Sequence, residues 1–125
     1  MKVAHLSHPI LGAFPTYLAQ VSSILERVLC DDFEQLVAQG LAGPAAPQEY
    51  RRAIQDYLQR TNQQQVTLPG GLTNTEIFSS AFDRVNRYTV DVQLFVDGQP
   101  SDLYAVFVVP LDGNRRLFLY DIRAT

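Results

Sequence analysis

One cysteine, one lysine, one methionine and no tryptophan occur in 125 residues. The single thiol, Cys30, excludes an internal disulfide and suits a reducing compartment, so a cytoplasmic address is expected. No apolar run reaches the roughly 20 residues that a membrane-spanning helix needs, and no membrane partner is expected. Met1–Pro9 is polar and broken by proline where a secretion signal is continuously apolar. Basic residues are not in excess: the formal charge is −3, which lacks the positive field of a duplex-binding domain and makes nucleic acid an unexpected partner. No glycine-rich phosphate loop is present, because Pro69-Gly70-Gly71 opens no strand–loop–helix unit. His5 and His8 have a spacing that metal ligands can use, but Pro9 and the terminal position argue for a mobile tail instead. No metal and no cofactor is expected.

What remains is an ordinary globular composition, 46% hydrophobic and 18% charged, in a length that suits one domain spanning residues 1–125. Residues 1–13 read as a flexible leader. Phe14–Leu29 carries Leu18, Val21, Leu25 and Val28 at helical spacing. Asp31 with Glu34, or Asp32 with Gln35, stands in capping-box register for a short second helix that stops near Gly40. Cys30, at the end of the first helix, is expected to be buried packing. Pro47 suits the first turn of a third helix that runs to about Arg60, with Tyr50, Ile54, Tyr57 and Leu58 inward and Arg51 and Arg52 in water. Thr61–Leu72 reads as a mobile loop with a short extended piece at Val66–Leu68; in Thr75–Val85, Ile77, Ala81, Phe82 and Val85 fit a helix while Ile77-Phe78 and Ala81-Phe82 also suit an edge strand, the reading preferred here.

The chain then changes character. Tyr88–Leu94 alternates apolar and polar residues, Asp102–Pro110 is apolar on both faces, and two Asp-Gly pairs punctuate a meander. Helices first and strands afterwards predict an α+β fold, with N-terminal helices packed on one face of a C-terminal antiparallel sheet. A loop over Asp97–Pro100 registers Val92 with Ala105 and Val90 with Phe107. A turn at Asp112-Gly113 registers Phe107 with Phe118 and Ala105 with Tyr120. The core face then holds Tyr88, Val90, Val92, Leu94, Leu103, Phe107, Phe118 and Ile122. Asp91, Gln93, Tyr104, Val106, Leu119 and Asp121 lie on the other.

Val90-Asp91-Val92-Gln93-Leu94-Phe95, Ser101-Asp102-Leu103 and Tyr120-Asp121-Ile122-Arg123 resemble the signature of a family of small bacterial domains of unknown function, in which a V-D-V-x-L-W hairpin leads to R-S-D-L and the chain closes on D-D-I-H-V. Asp31-Asp32-Phe33 and Tyr50-Arg51-Arg52-Ala53-Ile54 are similar to that family's helical start. Phe95 stands in place of the tryptophan, Pro100 precedes the Ser-Asp pair, Tyr120 replaces the first aspartate and Arg123 the histidine. A histidine-based role is therefore not carried over. In topology alone, the order of elements is similar to the cone-shaped fold of the nuclear-transport-factor and ketosteroid-isomerase superfamily, and a fold does not fix a function.

The candidate binding site is the polar sheet face, Asp91, Gln93, Tyr104 and Asp121, with Arg123 at the strand end. Carboxylates and a tyrosine on one face can serve acid–base chemistry, but no histidine or lysine joins them, and strand alternation alone places polar residues there. No catalytic residue is assigned. Ser101-Asp102 has no visible base and reads as side-chain capping of the turn after Pro100. The expected function is non-enzymatic: an accessory or immunity-type domain that binds a protein partner or a second copy of itself, with Val106, Val108, Leu117 and Leu119 as the self-association surface. The alternative is a small-molecule binder or enzyme of the cone type, with a pocket lined by Tyr50, Tyr57, Phe82 and Phe107.

Overall fold

The computed structural model describes residues 9–68, 77–82, 87–110 and 116–124. Three helices, α1 (Pro9–Leu29), α2 (Phe33–Ala38) and α3 (Pro47–Thr61), precede the strands β1 (Val66–Thr67), β2 (Ile77–Phe82), β3 (Arg87–Val96), β4 (Gln99–Pro110) and β5 (Phe118–Ala124). The expected α+β order holds. The helix expected from Phe14 begins at Pro9; proline, with no N–H to satisfy, fits a first helical position. Thr75–Val85 contains the expected strand, β2. His5, His8, Pro69-Gly70-Gly71 and the Asp112-Gly113 turn lie outside the described residues.

Strands β2 to β5 form an antiparallel sheet in chain order, and the short β1 shares the outer edge of β3 with β2. Between β3 and β4 the expected register is observed, Val90 opposite Phe107 and Val92 opposite Ala105. The connection is tighter than expected. Val96 pairs with Gln99 across Asp97-Gly98, both at positive φ (52° and 80°), the conformation that favours glycine and matches the twist of a hairpin. A bulge between Gln93 and Phe95 absorbs the difference. Its freed backbone groups are satisfied locally: the Ser101 hydroxyl donates to the Leu94 carbonyl at 2.7 Å and accepts from the Leu103 N–H at 3.1 Å. The Gln93 amide donates to the Ser101 carbonyl, and the Asp102 N–H donates to the Tyr57 hydroxyl. Ser101 thus makes the expected local bond to the main chain two residues on, and also staples the bulge to Leu94.

The register between β4 and β5 departs from expectation. Phe107 lies opposite Leu119, Ala105 opposite Ile122 and Val106 opposite Asp121, with a second bulge in between. Leu119 therefore turns into the core, fully buried, and Phe118 lies half-buried on the other face. The cause is tertiary. Leu41–Gly43 runs beside Leu119 as an isolated parallel bridge, with Leu119 N–H donating to the Leu41 carbonyl and Gly43 N–H to the Leu119 carbonyl. The Tyr50 hydroxyl, buried on α3, sits 3.2 Å from both the Leu119 and Tyr120 carbonyls. Burial pushes that phenol up to about 12, so it remains a donor at neutral pH. Tyr50→Phe is expected to cost about 0.5–1.5 kcal/mol, the net worth of a typical hydrogen bond, and to speed amide exchange around Leu119; urea unfolding and hydrogen exchange would read both.

The core joins Val21, Ile24, Leu25 and Val28 of α1 and Phe33 and Leu36 of α2 to the inward residues of β3, β4 and β5. Tyr50 and Tyr57 close it from α3. Val106 and Val108 on the other sheet face are also buried, as are Leu117 and Leu119. This corrects the expected self-association surface, because all four side chains are already removed from water within one chain.

Candidate functional site

The polar face forms as two neighbouring cross-strand rows. Asp91, Val106 and Asp121 make one row; Gln93, Tyr104 and Arg123 make the next. The second bulge moved Arg123 to a position beside Tyr104, where Asp121 was expected, and brought Asp121 opposite Val106. Asp91, Gln93, Tyr104 and Asp121 are half-buried and Arg123 is exposed. Arg123 approaches Asp121 at 3.8 Å, while the other Asp121 oxygen accepts from the Ile122 N–H at 2.9 Å. Desolvation raises the Asp91 carboxyl above its ordinary value, opposed by the positive charge of Arg123. Gln93 is occupied with the bulge. The five predicted residues are thus brought together, with Gln93 positioned as a support and the carboxylates and arginine presented outward.

Several arginines are spent within the chain. Arg51, expected in water, donates from Nε to Asp31 at 2.6 Å and from both terminal nitrogens to Glu34, with its guanidinium 5.4 Å from the Phe33 ring centre. Phe33 in turn stacks on Tyr50 at 5.7 Å. The Arg51 hydrogen bond holds the Glu34 carboxyl below its usual range, and the bonds to Glu34 and Asp31 push the guanidinium up. Asp31 and Asp32 consequently do not cap α2: Asp32 receives Arg27 at 3.1 Å and makes no side-chain cap. For Asp31 and Glu34 the partner that outcompetes the local cap is Arg51, on α3; for Asp32 it is Arg27, on the last turn of α1. Arg60 lies 5.5 Å from the Tyr57 ring centre.

Cys30 is exposed, contrary to its expected burial, because α1 ends at Leu29 and Cys30 begins the turn. Of the residues expected to line a pocket, Tyr50, Tyr57 and Phe107 are buried in the core, and the Phe82 side chain lies outside the described residues. A half-open cleft of about 420 Å³ separates the end of α1 and α3 from Gln64–Leu68, with Leu29, Arg51, Ile54 and Leu58 among its walls. Its signal in the sequence was Leu29, an apolar residue one step off the Leu25–Val28 stripe and 41% exposed. Asp97 builds the opposite wall by accepting the Gln64 and Gln65 N–H groups. A second, more open hollow of about 320 Å³ lies at the β5 edge, between Pro44, Ala45 and Glu49 on one side and Tyr120 and Asp121 on the other. Among the described residues no group of three or more His, Cys, Asp and Glu could hold a metal ion, and no helix is long and apolar enough to cross a membrane.

The chain matches no family model, no curated protein and no solved structure.

Proposed function

We propose that this is a non-enzymatic binding domain, of accessory or immunity type, that recognises a protein partner through the face formed by Asp91, Gln93, Tyr104, Asp121 and Arg123. The observation that carries this reading is the pair of cross-strand rows, which sets two carboxylates, a phenol and an exposed guanidinium side by side on a rigid sheet. Such a mixed-charge surface on regular strands suits protein recognition, where complementary charge sets partner choice and encounter rate. The motif resemblance favours a bacterial source, and the single cysteine favours a reducing cytoplasm. A small-molecule binder is the second reading; its support is the cleft beside α1, whose size falls within the range of ligand sites.

Asp91→Asn and Asp121→Asn separate recognition from structure. With its folded-state pKa raised, Asp91 binds its proton more tightly in the folded chain than in the unfolded one, so it lowers stability as pH rises above the ordinary carboxylate value of 3.8. Asp91→Asn is therefore expected to melt at or above the wild-type temperature at pH 7, with the difference vanishing below that value. Asp121→Asn, on a part-exposed carboxylate, is expected to leave melting nearly unchanged. Both are expected to weaken retention of the partner recovered from source cells with the tagged wild-type chain. Strong destabilisation in both variants with undiminished partner retention would make the rows a structural network instead.

A further inference from the structure

We infer that the cleft beside α1 takes a small organic amine, a primary ammonium carried on an apolar body about 10 Å long. The inference rests on the small-molecule reading of that cleft and names the class of ligand. Arg51, Ile54, Gln55 and Leu58 stand at i, i+3, i+4 and i+7 on α3, so they form one stripe along the cleft, and the run from Arg51 to Leu58 spans about 10 Å at the helical rise. Ile54 and Leu58 on that stripe, Leu29 at the end of α1, and Val66 and Leu68 across the gap make the walls apolar. Leu29 is 41% exposed, so an apolar body laid against it removes surface that folding leaves in water. The charge lies at the Arg51 end, and it is negative. One guanidinium there is shared by two carboxylates, Asp31 and Glu34, whose side chains stay 64% and 63% exposed, and Asp97 adds another carboxylate at the opposite wall. An anionic ligand would meet this excess, and Arg51 has already committed its Nε and both terminal nitrogens. An ammonium is attracted by it. Asp31 Oδ1 accepts from the Arg51 Nε, and among the described residues Asp31 Oδ2 receives no hydrogen bond, which suits the three donors of a primary ammonium. A quaternary ammonium has no N–H to donate and is held by open aromatic faces; Phe33, the aromatic ring in the wall, is 1% exposed and packed against Tyr50 and Arg51. Because the cleft is half open, the ammonium stays at the rim in contact with water while its apolar body is covered, and the cost of burying a charge is avoided.

Titration of the full chain with octylammonium, octan-1-ol and octanoate, which share one apolar tail and differ in the head group, tests the class. Octylammonium is expected to bind about five-fold tighter than the alcohol, the upper end for an exposed ion pair, and octanoate to bind weakest. Amide shifts on binding are expected to centre on Val66 and Leu68. High salt is expected to narrow the gap between ammonium and alcohol, because the charges involved are exposed. Asp31→Asn keeps an oxygen for Arg51 and removes the charge, so it is expected to erase the preference for the ammonium. Leu29→Ser, at an exposed position, is expected to weaken ammonium and alcohol alike, with circular dichroism confirming that each variant is folded. Asp121→Asn, on the polar sheet face, is expected to bind all three as the wild type does. An equal or reversed order of the three compounds at Val66 and Leu68, or a preference for the ammonium that survives Asp31→Asn, overturns the amine and leaves the small-molecule reading of the cleft standing. No saturable binding of any of the three, or amide shifts that lie elsewhere, overturns both.

Discussion

Phe107→Ala is expected to lower the unfolding free energy by about 3–5 kcal/mol, the range for truncating a buried aromatic in a core that cannot collapse around the void. Phe107 is fully buried at the centre of β4, with Val90 on one side and Leu119 on the other. For a domain whose total stability is of the order of 5–15 kcal/mol, the loss is a large fraction of the whole. Urea denaturation gives the number directly. The companion variants test the register. Leu119→Ala, which empties a buried site, is expected to cost about 2–5 kcal/mol, whereas Phe118→Ala, on a half-buried side chain, is expected to cost clearly less despite removing more atoms. The opposite ranking would restore the uninterrupted β4–β5 pairing and remove the second bulge.

Ser101→Ala is expected to be nearly as damaging for a different reason. The hydroxyl is buried and acts in both directions, donating to the Leu94 carbonyl and accepting from the Leu103 N–H. Alanine fills almost the same space but leaves both main-chain groups without a partner, at about 1–3 kcal/mol for each buried group that stays unsatisfied. Ser101→Thr, which keeps the hydroxyl, is expected to recover part of the loss. Amide exchange localises the effect: Leu103 should exchange far faster in the alanine variant, while amides of α1 should follow the global change. A drop in melting temperature confined to a fraction of a degree would mean that the bulge is held by Gln93 and Tyr57 alone.

The helices, the inward face of β3 and its pairing with β4 were legible in the residues because each is encoded by a local period. Val21, Leu25 and Val28 recur at helical spacing, and Val90, Val92 and Leu94 alternate with polar neighbours, so one face of each element had to be buried. The candidate patch followed from the same alternation, which is why Asp91, Gln93, Tyr104, Asp121 and Arg123 do share a region. Period alone could not place the bulges. An extra residue leaves no mark on composition, and one position of slip exchanges the faces of everything beyond it, as happened to Phe118 and Leu119.

The sequence by itself therefore determined an α+β order, the apolar stripes that must meet, and a polar face on the sheet, since these depend on residue type and spacing. Tertiary structure decided the rest through groups distant along the chain. The Tyr50 hydroxyl and Leu41–Gly43 set where β5 slips, and Arg51 draws Asp31 and Glu34 away from local capping. Each of these is a contest between a local hydrogen bond and a remote one that a buried environment makes stronger, and only the folded arrangement brings the remote competitor within reach.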